Sequence, residues 1–214
     1  MSRGLGDVYK RQTTKADVAK DRARITVTDE EGDVTELNLQ LNSDGYVEFC
    51  NSIDHAGTPD ADEFTWEMEY DTEGHLVVMK RSESDGEITN ITYKDGDVVK
   101  TSTRYVASGD LNGDGIIDSN DEWEYSAAID YTTDNITAPI ENKGCLMLFD
   151  EILDVDMDEM IYAYYGGMLG KATKHLPLVG HCTYNGEDSV SDMYFTWTLN
   201  SCLLYTSDAA DDTP

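Results

Sequence analysis

Basic residues are scarce in this chain: 15 Lys and Arg stand against 44 Asp and Glu, which gives a formal net charge of −29. A field of that sign repels phosphate backbones and anionic membrane surfaces, so nucleic acid is excluded as an expected partner, and cations or basic surfaces are favoured. Long hydrophobic runs are also missing, and no stretch approaches the roughly 20 apolar residues of a transmembrane helix. These absences favour a folded, acidic domain that has no membrane-spanning helix.

Recognisable catalytic and zinc-binding patterns are absent as well. The chain has no nucleophile elbow, no Cys–His signature and no phosphate-binding loop. Its cysteines and histidines are few, and none shows zinc-ligand spacing: Cys50, Cys145, Cys182, Cys202, His55, His75, His175 and His181. Each histidine is interpreted as a surface or turn residue, and no catalytic residue is predicted. The pairing of Cys50, Cys145 and Cys182 stays open between one disulfide and free buried thiols.

The two ends of the chain resemble translated sequencing adapters. Residues 2–12 match one reading frame of a transposase-based adapter, and residues 202–212 match the reverse complement of its partner. We therefore expect residues 1–12 and 202–214 to be non-native. The remaining 13–201 are predicted to form a single β-rich domain that is a piece of a longer protein.

Between these ends, short alternating segments are separated by turns rich in Asp and Gly, which suit the positive φ values of tight hairpins. Leu37, Leu39 and Leu41 alternate with polar residues, and the aromatic series that starts at Phe64 and Trp66 does the same. This period of two predicts strands with one apolar and one acidic, solvated face. The predicted fold is mainly β, with a minor α+β character: a curled antiparallel meander or half-barrel, with one or two helices covering the apolar face.

One segment follows helical spacing instead. From Asp156 to Leu169 the apolar residues recur every three or four positions, which predicts a helix over this range. Gly170 is predicted as its C-terminal cap, with Lys171 and Lys174 near the negative end of the helix dipole.

Residues 110–121, Asp-Leu-Asn-Gly-Asp-Gly-Ile-Ile-Asp-Ser-Asn-Asp, carry the clearest chemistry in the chain. Their spacing matches a twelve-residue calcium-binding loop, in which oxygen ligands alternate before a glycine at the sixth position. The predicted ligands are the side chains of four aspartates and one asparagine and one backbone carbonyl: Asp110, Asn112, Asp114, Ile116 (carbonyl), Asp118 and Asp121. The alternative interpretation is an acidic hairpin loop that only solvates a turn.

The residues on either side decide what kind of loop this is. Thr103–Ala107 and Trp123–Tyr131 both alternate as strands, whereas a helix–loop–helix hand needs helical spacing on both sides. The loop also resembles that of a dockerin, but a dockerin carries two loops, each followed by a helix. We therefore predict a calcium-clamped hairpin connection rather than a sensor.

Several segments resemble a known family. They are the run from Tyr70 to Leu76, Ile129-Asp-Tyr131, the run from Ile161 to Pro177 with its Gly-Met-Leu-Gly-Lys core, and the run from Tyr194 to Ser201. Together they resemble uncharacterised secreted lipoproteins of gut-type Gram-negative bacteria, whose domain of unknown function has a porin-like fold. The resemblance implies an envelope or extracellular location, as an outer-membrane lipoprotein or a periplasmic protein, with membrane attachment only through a lost N-terminal lipid anchor. That family has no assigned catalytic residues to carry over.

Taken together, these observations predict a calcium-stabilised binding or structural module of the cell envelope, whose ligand or envelope-protein partner is unknown. The alternative is a secreted hydrolase acting on glycan or peptide through an unrecognised carboxylate site. Glu67 and Glu69 are the carboxylate pair considered for that role, but both are predicted on the same solvated strand face.

Overall fold

The computed structural model describes residues 13–82, 86–105, 109–110, 113–118, 121–143, 157, 160–185, 191–199 and 205–210. In these residues twelve strands form one antiparallel sheet, and two short strands form a second. The elements are β1 Thr13–Val18, β2 Arg22–Thr28, β3 Val34–Leu41, β4 Val47–Asp54, β5 Asp62–Tyr70, β6 Leu76–Arg81, β7 Glu87–Lys94, β8 Asp97–Tyr105, β9 Trp123–Asp130, β10 Ile140–Glu141, α1 Met160–Tyr165, β11 His175–Leu176, β12 Val179–Tyr184, β13 Ser191–Leu199 and β14 Tyr205–Ala210.

The large sheet follows the order of the chain, except that β12 pairs with β9. The intervening residues carry α1 and the small β10–β11 sheet. Nearest neighbours in sequence therefore become nearest neighbours in space, as expected for successive hairpins. The predicted, mainly antiparallel β fold is confirmed. Within the described part of the chain no helix is both long and apolar enough to span a membrane.

Local side-chain chemistry closes the hairpins. In the β5–β6 turn, the Asp71 carboxylate accepts hydrogen bonds from the Glu73 and His75 N–H groups at 2.8 and 2.9 Å, and Gly74 adopts a φ of +89°. Asp29 and Asn42 make the same i+2 and i+4 contacts in two other turns. The Asp and Gly pattern thus acts through the backbone of each turn, as the sequence predicts.

Alternation along the strands creates one buried face. Leu37 and Leu39 are almost fully buried, as is Trp66, while Gln40 and Glu67 on the opposite face are exposed. Met160 and Ala163 of α1 belong to the same apolar cluster as these strand residues. The helix therefore covers the apolar face of the sheet, as predicted.

The predicted extent of the helix is wrong at its C-terminal end. The described helix ends at Tyr165, because the Met168 N–H donates to the Ala163 carbonyl at 2.9 Å and the Gly167 N–H donates to Tyr164 at 2.7 Å. Those two bonds define a Schellman motif whose left-handed residue is Gly167, with a φ of +73°. Gly167 is therefore the cap in place of the predicted Gly170, and the helix ends four residues before the predicted Leu169. Asp156, Asp158 and Glu159 lie outside the described residues.

Gly170 has a different role from the one predicted. Its φ is +79°, and a Cβ added there would lie 2.6 Å from the Gly74 carbonyl oxygen and 3.0 Å from the Tyr70 ring. Any side chain would push the chain away from the β5–β6 turn. Gly170 therefore allows a close backbone approach to that turn and does not terminate the helix.

Residues 168–178, the crossing segment, run across the hairpin turns at one end of the sheet. Four backbone hydrogen bonds of 2.8–2.9 Å attach the segment to successive hairpins: Val47 N–H to Met168 carbonyl, Lys171 N–H to Gly74 carbonyl, Lys174 N–H to Gly96 carbonyl, and Leu178 N–H to Asp130 carbonyl. The first three attachments are three residues apart. Three extended residues span about 10 Å, and two strands at about 4.8 Å spacing occupy nearly the same distance. Each step of three residues therefore reaches the next hairpin.

A buried polar network reinforces the same end. The Tyr131 hydroxyl donates to the Val98 carbonyl at 2.8 Å and lies 2.9 Å from the Thr173 hydroxyl. Asp97 accepts the His175 N–H at 2.8 Å, and its other oxygen lies 2.7 Å from His175 Nδ1. Burial raises the pKa of Tyr131 above its ordinary value, so the phenol stays protonated and can donate. The network joins β8, the chain after β9 and the crossing segment.

Candidate metal centre

The predicted calcium loop connects two neighbouring strands at the opposite end of the sheet. It leaves β8 after Tyr105 and enters β9 at Trp123, and these two residues are direct partners in the antiparallel ladder. Both flanking segments are strands, as the sequence predicts. The loop is therefore a hairpin connection.

Asp110 organises the first half of the loop. Its Oδ1 accepts hydrogen bonds from the Gly113 and Asp114 N–H groups at 2.6 and 3.1 Å, and its Oδ2 accepts the Gly115 N–H at 2.7 Å. Gly113 and Gly115 have φ values of +79° and +84°, which permit the tight turn around the carboxylate. A carboxylate has about four lone-pair sites, so the Asp110 side chain retains acceptor capacity beyond these three bonds.

Asp114 and Asp118 contribute to the next turns of the backbone. Asp114 Oδ1 accepts the Ile116 N–H at 2.8 Å, and the Asp118 carbonyl accepts the Asp121 N–H at 3.0 Å. Ile116 and Ile117 between them are 61% and 59% exposed. The apolar side chains therefore point to solvent while carboxylate oxygens fold toward the backbone of the loop.

Asp121, the last predicted ligand, is the most buried carboxylate of the loop. It is only 1% exposed, and its Oδ2 accepts the Asp118 N–H at 2.9 Å. Burying a carboxylate is unfavourable unless hydrogen bonds or a cation compensate for the lost hydration. Its burial at the closing position of the loop fits a hard cation, because all the predicted ligands are oxygen atoms.

The structure brings the predicted ligands into one loop but does not gather them around a point. Asp110, Asp114, Ile116, Asp118 and Asp121 are described, whereas Asn112 lies outside the described residues. Among the described residues, no group of three or more His, Cys, Asp or Glu side chains has the geometry of a metal site. The carboxylates instead accept backbone N–H bonds, so the metal assignment stays a prediction.

Aromatic side chains pack beside the stems of the loop. The Tyr105 and Trp123 rings stack with centroids 3.9 Å apart, and Tyr184 of β12 lies 5.3 Å from Trp123. Arg104 pairs with Glu122 at 3.4 Å. Trp123 stands two residues after the last predicted ligand, so its fluorescence is a reporter of the loop.

Sequence reasoning missed the partners of the histidines. All four histidines of the chain lie next to aspartates, in the pairs His55–Asp33, His75–Asp71, His175–Asp97 and His181 with both Asp130 and Asp192. Only the His75–Asp71 pair could be expected from the sequence, because these two residues are four positions apart in one turn. Burial would raise the pKa of the Asp71 carboxyl, but hydrogen bonds from His75 and Glu73 outweigh it and hold that pKa below its ordinary value.

Two thiols are buried within the apolar face. Cys50 and Cys182 are fully buried and are not linked by a disulfide, while Cys145 lies outside the described residues. Burial raises the pKa of the Cys50 thiol to about 12, so it is neutral and unreactive at physiological pH. Both thiols behave as small apolar side chains of the core.

Two solved structures share this fold. A porin-like protein from Bacteroides uniformis superposes with a TM-score of 0.59 at 20% identity, over 91% of this chain and 66% of that protein. A porin-like protein from Bacteroides vulgatus gives 0.58 at 13% identity, over 93% of this chain and 85% of that protein. This chain therefore spans about two thirds of the length of the first relative. No curated protein matches the chain.

Comparison with family models, which uses the sequence alone, also indicates a porin-like fold. The domain of unknown function (DUF4595) with porin-like fold matches residues 12–207, which is most of the chain. That match includes the crossing segment, whose Gly-Met-Leu-Gly-Lys run carries the strongest part of the resemblance noted in the sequence. The chain therefore belongs to the family described as a domain of unknown function (DUF4595) with porin-like fold.

Proposed function

We propose that this chain is a calcium-stabilised binding or structural module of the cell envelope. The observation that carries the calcium part is the arrangement of the loop at residues 110–121. Asp110 accepts three consecutive N–H groups from Gly113, Asp114 and Gly115, and Asp121 is buried at the closing position. Those features support the tight turn that a twelve-residue calcium loop needs.

The ligand set in this proposal is the one expected from the sequence. Asp110, Asn112, Asp114, Asp118 and Asp121 would supply side-chain oxygens and Ile116 a backbone carbonyl. When bound, Ca²⁺ neutralises the crowded carboxylates and draws these oxygens together. The role of the ion is structural: it fixes the β8–β9 connection and the Tyr105–Trp123 stack at its base.

The proposed envelope location is supported by family membership. Both solved relatives are named as porin-like proteins from Bacteroides. With a calcium affinity typical of extracellular modules, about 10⁻⁴–10⁻³ M, the ion would be bound nearly constitutively outside the cell. This affinity suits a structural ion rather than a signalling one.

The hydrolase alternative gains no support from the carboxylate pair considered for it. Lys80 lies 3.9 Å from Glu67 and 3.2 Å from Glu69, and all three side chains are exposed on the outer face of the sheet. That arrangement is typical of a solvated surface ion cluster.

The proposal is tested by thermal unfolding with and without calcium. At 10 mM Ca²⁺ and the affinity above, mass action stabilises the folded state by about 1.4–2.7 kcal/mol, which raises the Tm of a domain of this size by roughly 3–10 °C. Asp114→Ala removes one ligand and is expected to abolish that rise. Asp44→Ala, which removes an exposed carboxylate from the β3–β4 turn, is the matched control and should keep it.

A spectroscopic titration identifies the loop as the place of binding. Tb³⁺ replaces Ca²⁺ in oxygen sites and is sensitised by nearby indoles, so excitation of Trp123 should produce terbium emission that excess Ca²⁺ suppresses. Trp123→Phe should remove the emission without removing the calcium-dependent Tm shift. Equal Tm shifts in Asp114→Ala and the unmodified chain, or no shift in either, would contradict the proposal.

A further inference from the structure

The outer face of β2, β3 and β4 carries a depression of about 460 Å³ that none of the roles above uses. Two rows of side chains cross it in strand register. One row is Arg22, Gln40 and Phe49, and the other is Arg24, Asn38 and Asn51. Alternation along β2 places Ala23 and Ile25 on the buried face, so the two arginines lie on the outer one.

The charge of this patch differs from that of the rest of the molecule. The chain has a formal net charge of −29, yet the described residues that line the depression include two arginines and no carboxylate. Arg24 is compensated by an ion pair with Glu36. The side chain of Arg22 is exposed and has no ion pair or hydrogen bond with any described residue, so its charge is available to an anion.

The uncharged side chains of the depression indicate which other groups a ligand would carry. The side-chain carboxamides of Asn38, Gln40 and Asn51 have no hydrogen-bond partner among the described residues. Each carboxamide has hydrogen-bond donors and an acceptor, and a hydroxyl group can likewise both donate and accept a hydrogen bond. The half-buried ring of Phe49 adds an apolar surface on which the C–H face of a sugar ring can stack.

We propose that this depression binds a carboxylated oligosaccharide. Arg22 forms a bidentate pair with the carboxylate of a uronic acid unit, the three carboxamides bind its hydroxyls, and Phe49 packs under the ring. A peptide fits less well, because the strands under the depression are paired on both sides and offer no free backbone edge for β-augmentation. The volume lies within the 300–1,000 Å³ range of small-molecule sites.

The test is a calorimetric titration of the full chain with a trimer of galacturonic acid, in saturating calcium because uronates also bind that ion. The neutral glucose trimer and a triglutamate peptide serve as comparison ligands. The uronate is expected to bind at least about tenfold more tightly than either of them. Arg22→Gln should weaken uronate binding by at least about tenfold, since a hydrogen-bonded charge pair is lost.

Matched variants distinguish this site from general electrostatics. Lys100→Gln removes the same charge from an exposed position on β8 and should leave uronate binding unchanged, while Phe49→Ala should weaken it. Backbone and side-chain amide shifts of Asn38 and Asn51 should move on titration. Undetectable uronate binding, equal binding of triglutamate, or an equal loss in Lys100→Gln would overturn the proposal. Loss of uronate binding in Asp114→Ala would place the ligand at the calcium loop and would overturn it as well, whereas failure of the calcium proposal alone leaves uronate binding intact.

Discussion

The two ends of the sheet are held together in different ways. At one end, the crossing segment at residues 168–178 bonds to four successive strands or turns, and the contact of Gly170 with Gly74 leaves no space for a side chain. At the other end, the connection from β8 to β9 is a loop rich in aspartates that fold onto its own backbone. The first end is held by hydrogen bonds within the chain, whereas the second carries the oxygen-rich loop that we propose as a cation site.

The difference concerns how an acidic chain holds the two ends of one sheet. Most contacts of the crossing segment are backbone hydrogen bonds and bonds to buried hydroxyls, which carry no charge, so we expect this end to depend on calcium far less than the loop does. Four carboxylates in a single loop repel one another without a counterion. We therefore expect perturbations of the crossing segment to change global stability, and perturbations of the loop to act through calcium.

The largest expected effect is that of Gly170→Ala. The left-handed φ of this residue costs an alanine about 1–2 kcal/mol, and the methyl group must also displace the Gly74 carbonyl. Together these effects should lower the free energy of unfolding by about 3 kcal/mol or more, measured by urea denaturation with and without calcium.

Gly32→Ala is the matched control for that substitution. Gly32 has a φ of +91° but nothing within 4 Å of an added Cβ, so only the conformational cost of about 1–2 kcal/mol applies. Equal losses of unfolding free energy in the two variants would show that the crossing segment can move aside without cost. That result would contradict the claim that this segment holds one end of the sheet.

A smaller effect is expected from Tyr131→Phe. The substitution keeps the ring but removes the buried hydroxyl that links the Val98 carbonyl to Thr173, so stability should fall by about 1–2 kcal/mol. Tyr184 provides the control: it is 41% exposed, so Tyr184→Phe should change stability by less than about 0.5 kcal/mol. A calcium-dependent loss in Tyr131→Phe would contradict the independence of the two ends.

The smallest effect concerns pH. Hydrogen bonds with Asp192 and then Asp130 raise the pKa of His181 above its ordinary value. Because the folded-state pKa is the higher one, the stabilisation is complete below the unfolded pKa of about 6.5 and disappears as pH rises through the folded value. These side chains are partly exposed, so the contribution should be below about 1 kcal/mol.

The measurement is the difference in Tm between the unmodified chain and His181→Gln across pH 5.5–8.5. That difference should be largest at the acidic end and should vanish at the alkaline end, at constant calcium. A difference that grows with pH would have the wrong sign for a histidine held in its charged form. The result also separates histidine titration from any pH dependence of calcium binding.

The sequence predicted the features that depend on local chemistry. Hairpins could be located because an Asp or Asn side chain and a glycine set each turn within five residues, as at Asp71 and Gly74. The buried face could be predicted because alternation in β3 and β5 is regular. The calcium loop could be proposed from the sequence for the same reason, since its ligand spacing is contained in twelve residues, and it stays a prediction.

Features that depend on distant contacts could not be predicted. Gly167 and Gly170 are both suitable helix caps in sequence, and only the approach of Gly74 from another hairpin distinguishes their roles. The pairing of Asp97 with His175 joins residues 78 positions apart, so no local pattern indicates it. The depression between Arg22 and Phe49 also appears only when three strands are placed in register.

Hydrogen exchange with and without calcium tests the difference between the two ends most directly. Calcium is expected to slow exchange of the amides of Gly113, Gly115 and Asp121 and of the adjoining ends of β8 and β9. Exchange of the Lys171 and Lys174 amides, which bond to Gly74 and Gly96, should not change. Equal protection at both ends, or no calcium-dependent protection in the loop, would contradict the claim that a cation holds one end of this sheet and the chain holds the other.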